Sequence, residues 1–271
     1  MKTAYKNILV TALLTATTLV ATAALAVSGK VAGGKHDFSS AGNSGQYKAG
    51  VGDLGGQVCI YCHTPHNAGQ TRLLWNKAAN GNVNFRLYTS SPTLSSITRT
   101  ASSLDSNSPS LLCLSCHDGK TAMNVLHAGG QGSLASTALS GKGYPAGSKL
   151  AFGSTPKYIQ NTGWDVIMGE PLTSGPMLGG ASGDDLTNDH PIGFSYTAAQ
   201  AEKTASSLHA LADVNTNSAS RIRFYGATKK VECSTCHDPH VENTEFVNPK
   251  QVPFLVMDND GSKLCLACHN K

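Results

Sequence analysis

One five-residue pattern recurs four times along the chain. The copies are Cys59-Ile60-Tyr61-Cys62-His63, Cys113-Leu114-Ser115-Cys116-His117, Cys233-Ser234-Thr235-Cys236-His237 and Cys265-Leu266-Ala267-Cys268-His269, and together they use all eight cysteines. A Cys-x-x-Cys-His run is the mark of a c-type haem attachment site. The two thiols add to the haem vinyl groups, and the two residues between them set their separation. The next residue, His63, His117, His237 or His269, then reaches the iron as proximal ligand. The expectation is four covalently attached haem c groups. Zinc is the plainer use of paired cysteines, since two Cys-x-x-Cys pairs make a four-thiolate site. That site has no need for a His after every second Cys, and a disulfide framework leaves the repeated His unexplained.

Such cofactors answer a difficulty in the composition. Only 6% of residues are aromatic and 14% charged, while small and polar residues abound, so the side chains alone bury little apolar area. A porphyrin is a broad apolar plate, and four of them supply the missing core. The expected fold is mostly irregular coil with short helices and a few short strands, wrapped around a chain of four haems. Because a covalently held cofactor packs only in the native state, the chain without haem is expected to be largely unfolded.

Residues 1–26 read as a secretory signal peptide. Lys2 and Lys6 form its basic start, an apolar run from Ile8 to Leu25 follows, and Ala24-Leu25-Ala26 supplies small residues at the cleavage point. No later stretch is apolar enough to span a membrane. The mature protein is therefore expected to be exported, to the outer cell surface or extracellular space, with the periplasm as the alternative. Losing the two lysines lowers the formal charge from +4 to +2, and the haem propionates lower it further. Nothing in this balance suggests nucleic-acid binding.

Residues 27–271 read as one tetrahaem cytochrome domain. Asn84–Tyr88 is a strand candidate closed by Ser91-Pro92, and Leu111 and Leu112 lead into the second motif on a helical turn. The segment 118–190 holds half of the 28 glycines and reads as loop. Tyr196–Ala212 is the best helix candidate. Cys233 and Cys265 lie 32 positions apart, which makes the third and fourth motifs a tandem pair. Asp258-Asn259-Asp260-Gly261 between them has part of a calcium-loop pattern, but without the closing Glu it reads as a plain turn.

Six further histidines compete for the second axial positions: His36, His66, His127, His190, His209 and His240. His66 and His240 each follow a proximal His by three residues with Pro between, so the chain cannot continue as helix and the imidazole is free to face another haem. His36 and His190 lie in turn-forming sequence at the ends of Gly-rich stretches. These four are the expected ligands. His127, before Gly129-Gly130, and His209, read as helical and beside apolar residues, rank below them. Met123, Met168, Met177 and Met257 have no distinctive setting. With every iron bound by two histidines, no site is open to small molecules, and the function expected is electron transfer at low potential rather than catalysis.

The paired CSTCHDPH and LCLACHN resemble the doubled haem motif of bacterial multihaem cytochromes. KHDF, CIYCHTPH, LLWN, LYTSSPT, CLSCHDG and DHPIGFSY, in that order, resemble the tetrahaem outer-surface cytochromes of metal-reducing bacteria, which polymerise into extracellular filaments. The resemblance spans most of residues 32–269 and is weakest in the Gly-rich segment. It implies a continuous chain of bis-His haems, with one second ligand donated by the adjacent subunit. By this resemblance, His66 is expected to ligate the haem of His269 in the next subunit of a head-to-tail homopolymer. Other electron-transfer cytochromes and extracellular metal-oxide or electrode acceptors are the implied partners. A soluble periplasmic tetrahaem shuttle is the alternative, and a multihaem reductase a more distant one.

Overall fold

The computed structural model describes residues 31–42, 47–50, 56–66, 68, 72–77, 85–118, 121–128, 148–153, 155–159, 185–187, 189–203, 207–241 and 254–270. Residues 1–26, read above as a signal peptide, and most of the Gly-rich segment 118–190 lie outside them. Most of the described chain is turn and coil. Its helices are α1 (Ser96–Ala101), α2 (Ser110–His117), α3 (Tyr196–Lys203), α4 (Leu211–Asn217), α5 (Cys233–Cys236) and α6 (Lys263–Cys268). Its strands are two residues each: β1 (Arg86–Leu87) pairs in parallel with β4 (Asp185–Leu186), and β2 (Val125–Leu126) pairs antiparallel with β3 (Lys149–Leu150). The architecture is the irregular, cytochrome-like wrapper expected from the sparse apolar composition.

Local chemistry explains the short helices. Ser95 caps α1 by accepting the Thr98 N–H at 3.1 Å. The helix α2 begins after Pro109 and buries Leu111, Leu112 and Leu114. The strand expected over Asn84–Tyr88 is limited to Arg86–Leu87 among the described residues. The single helix expected over Tyr196–Ala212 is instead two short helices. Between them Leu208 forms a bridge with His269, and the His209 N–H donates to the Cys268 carbonyl at 2.8 Å. Helix and bridge cannot share those backbone groups, so His209 sits on an extended connection. The Asp258–Gly261 stretch is a turn whose acid is used internally: Asp258 accepts the Asp260 N–H and pairs with Lys263 at 3.2 Å.

The apolar residues gather in small separate clusters, two of them against haem-motif cysteines. Tyr47, Tyr61, Met123, Leu126 and Phe152 pack with Cys62 and Cys116. Phe194, Tyr196, Val214, Ile222 and Val231 pack with Cys268. One glycine ties Ser103 to Val231 of the second cluster. Gly193 has φ +74°, donates to the Val231 carbonyl at 2.7 Å and accepts from the Ser103 N–H at 3.0 Å. A Cβ there would stand 2.6 Å from the Ser103 carbonyl oxygen, so only glycine fits.

Candidate haem centres

Each motif is one helical turn. The His63 N–H donates to the Cys59 carbonyl at 2.8 Å, His237 to Cys233 at 3.0 Å and His269 to Cys265 at 2.9 Å, while the second motif lies within α2. Cysteines three apart on such a turn project from the same side, and all eight are free thiols. That is the presentation two thioether bonds to one porphyrin edge require. Among the described residues, no group of three or more His, Cys, Asp and Glu side chains converges on a point that could hold a bare metal ion, as a zinc ribbon would.

Three motif histidines face a second imidazole from a distant part of the chain. His117 faces His36 with ring centroids 6.2 Å apart and planes at 72°. His63 faces His240 at 6.1 Å and 17°. His269 faces His190 at 6.4 Å and 72°. An iron between two imidazole nitrogens, bonded at about 2 Å to each, separates the centroids by roughly 6.3 Å. All three spacings fit that group. The last pair sets an imidazole of the same chain, His190, near His269.

The Nδ1 atoms of His63, His190 and His240 have hydrogen-bond partners. His63 Nδ1 lies 2.7 Å from the Leu73 carbonyl and His190 Nδ1 2.9 Å from that of Pro191. A carbonyl only accepts, so Nδ1 carries the proton and Nε2 keeps its lone pair for metal. The Leu73 carbonyl is positioned by two left-handed residues, Leu73 at φ 55° and Leu74 at φ 53°, and by the Thr64 N–H to Leu74 carbonyl bond of 2.8 Å. His240 Nδ1 lies 3.0 Å from Asp238 Oδ1. That hydrogen bond raises the His240 pKa and holds the Asp238 carboxyl below its usual range. His36 is stacked on Phe254 at 4.3 Å, and its Nδ1 is buried without a hydrogen-bond partner. Burial, then the neighbouring His117, pushes its pKa down to about 4, so the ring is neutral and able to ligate at ordinary pH.

The attachment points also follow one another without a gap. Cys62 of the first motif neighbours Cys116 of the second, and burial followed by that neighbour pushes the Cys62 thiol up to about 12. Cys113 of the second motif shares a hydrogen bond with Cys233 of the third, which raises the former thiol and lowers the latter. Cys236 of the third motif neighbours Cys268 of the fourth, and burial followed by that neighbour pushes Cys236 up to about 12. Trp75 reinforces the first junction by donating from Nε1 to the Ser115 Oγ at 2.9 Å.

Two buried charged side chains sit at these junctions, and sequence reasoning passed over both. Lys77 is 1% exposed and directs its Nζ to the carbonyls of Met123 and Val125, the latter at 2.9 Å. Burial pushes its pKa down, while Cys116, Cys62 and Asp118 oppose the fall. Glu232 is 2% exposed and accepts from the hydroxyls of Ser108 and Ser110. It also caps α5 together with Thr235. The only sequence signal was an acid directly before a Cys-x-x-Cys turn, which reads as a helix cap.

The remaining histidines have different settings. His66 is exposed, and its carbonyl accepts from the Thr64 hydroxyl at 2.7 Å. His127 Nδ1 is buried without a hydrogen-bond partner, and its N–H donates to the Asn76 carbonyl at 3.0 Å. The His209 carbonyl accepts from the Tyr196 hydroxyl at 2.8 Å. His237 is exposed.

No curated protein matches the chain. Residues 226–271 match the model of the Doubled CXXCH motif, which spans the third and fourth haem motifs. The four repeated pentapeptides, the helical turn at each of them and this match together mark covalent haem c attachment and support a multihaem c-type cytochrome.

Proposed function

We propose that the chain carries four haems and transfers electrons over long distances outside the cell, as the repeating subunit of a polymeric cytochrome filament that passes them to external acceptors. The observation that carries the electron-transfer reading is the facing imidazole pairs at 6.1 to 6.4 Å. Two axial imidazoles leave an iron no open position for substrate, whereas a reductase needs one. In this reading His36, His190 and His240 are the second ligands of the haems of His117, His269 and His63.

The unbroken succession Cys62/Cys116, Cys113/Cys233 and Cys236/Cys268 supports a single row of four haems within the subunit. For the polymer, exposed His66 serves the haem of exposed His237 in the adjacent copy, a contact that does not close on itself and so propagates. The signal peptide reading of residues 1–26 supports export to the cell surface. A soluble periplasmic shuttle is the second reading. It is favoured by the His190 and His269 pair, which brings both ligands of one haem from the same chain. Electron microscopy of the secreted, haem-loaded protein separates the two: filaments support the first reading, and uniform monomers overturn it in favour of the second.

A further inference from the structure

We infer that Lys77 and Glu232 are a pair of opposite buried charges that set the order of reduction potentials along the haem row, raising those at the first junction and lowering those at the second. Lys77 lies between the first and second motifs. Its neighbour Asn76 donates its N–H to the Cys62 carbonyl at 2.8 Å, and Lys77 itself is hydrogen-bonded to the chain shortly after Cys116. Glu232 lies between the second and third motifs. It immediately precedes Cys233, and Ser110, which donates to its carboxylate, also accepts the Cys233 N–H at 2.9 Å.

The physics is Coulombic. Each reduction takes Fe(III) to Fe(II) with one electron, given up by a neighbouring haem or by the reductant of a titration. The site therefore becomes more negative by one charge. A buried ammonium favours that change and a buried carboxylate opposes it. Water screens neither, since the two residues are 1% and 2% exposed. Every group found on the Glu232 carboxylate is a donor: two hydroxyls and the backbone at the start of α5. That is the partner set of an ionised acid. The Lys77 ammonium donates to two carbonyls, which carry no charge of their own. Asp118 is buried at the same junction, where it accepts the Thr121 N–H and hydroxyl at 2.7 and 2.6 Å, and its charge opposes that of Lys77; Lys77→Met is therefore read as a displacement from the parent curve. Asp189 acts on Cys233 in the same sense as Glu232.

The inference rests on the haem content proposed above, and its test is chosen to be read separately from it. Lys77→Met, Lys77→Arg, Glu232→Gln and the Met/Gln double variant are purified and checked for four haems by intact mass. Each is then titrated spectroelectrochemically. The expected result is opposite displacement: part of the Lys77→Met curve moves to lower potential and part of the Glu232→Gln curve moves to higher potential. The rest of each curve stays in place, and Lys77→Arg lies close to the parent. A purely structural role gives shifts of one sign in both variants. That outcome, or unchanged curves in fully loaded protein, overturns the assignment. Should Lys77→Met fail to load, the near-isosteric Glu232→Gln decides alone. A parent protein without haem overturns the function proposed above instead.

Discussion

The ring centroids of His63 and His240 lie 6.1 Å apart with their planes 17° from parallel, although 177 positions separate them in the chain. If iron lies between them, replacing His240 opens one coordination site without touching a covalent attachment. His240→Ala is therefore expected to keep four haems by intact mass and to bind one carbon monoxide per chain when reduced. The parent is expected to bind none. Carbon monoxide binding by the unmodified, undenatured protein would count against closed coordination.

The three facing pairs fall into two geometric kinds. One is nearly parallel at 17°, and two are steeply crossed at 72°. The angle between axial imidazole planes sets the splitting of the iron d orbitals. Low-temperature electron paramagnetic resonance of the oxidised protein should show two classes of low-spin signal. His240→Ala should remove the parallel class alone. A single class for all haems would contradict the pairing.

His66→Ala tests the polymer. With His66 as donor to the next copy, the variant should load four haems, stay monomeric and show one five-coordinate haem per chain. Filaments that persist with all haems six-coordinate would remove His66 from the interface.

Asn76 is fully buried and ties the first motif to the β2 region. Its side chain donates to the Ile60 carbonyl at 2.7 Å and accepts the Ala128 N–H at 2.8 Å. Asn76→Ala strands both backbone groups and should cost about 2 to 4 kcal/mol of stability. Denaturant melts of the haem-loaded protein measure the loss, and a difference under about 0.5 kcal/mol would show that water replaces both contacts.

Gly193→Ala should be worse than its size suggests. The added methyl meets the Ser103 carbonyl at 2.6 Å in a left-handed backbone conformation. The expected penalty is about 2 to 4 kcal/mol in the same melts. The His190 and His269 pair should be disturbed first, since Gly193 fixes the turn that carries His190.

The Cys-x-x-Cys-His motifs were legible because a covalent motif is local: five consecutive residues carry the whole signal, and the family match falls on the last two of them. His36, His190 and His240 were legible as ligand candidates from their turn-forming neighbours. Which proximal His each of them faces was not, because that depends on long-range packing. The nearness of His190 to His269 is one such long-range relation. Lys77 and Glu232 escaped notice because a charged residue in a polar sequence carries no mark of burial. The end of α3 before Leu208 escaped for a related reason. Helix propensity favours continuation through Ala212, and the pairing of Leu208 with His269 is incompatible with it.

The three imidazole pairs span overlapping stretches of chain: 36 to 117, 63 to 240 and 190 to 269. Each stretch begins before the previous one has ended. Joined by iron, they are interlocked loops rather than successive ones, and no cut divides the chain into independent halves. A protease that severs a bond within 118–190 leaves the two pieces held by His63 and His240. The haem-loaded protein should thus run as one body on a sizing column after nicking and come apart only when coordination is lost. With iron in those three pairs, the links between distant segments would keep the protein whole, and the peptide between them would be dispensable as a tether.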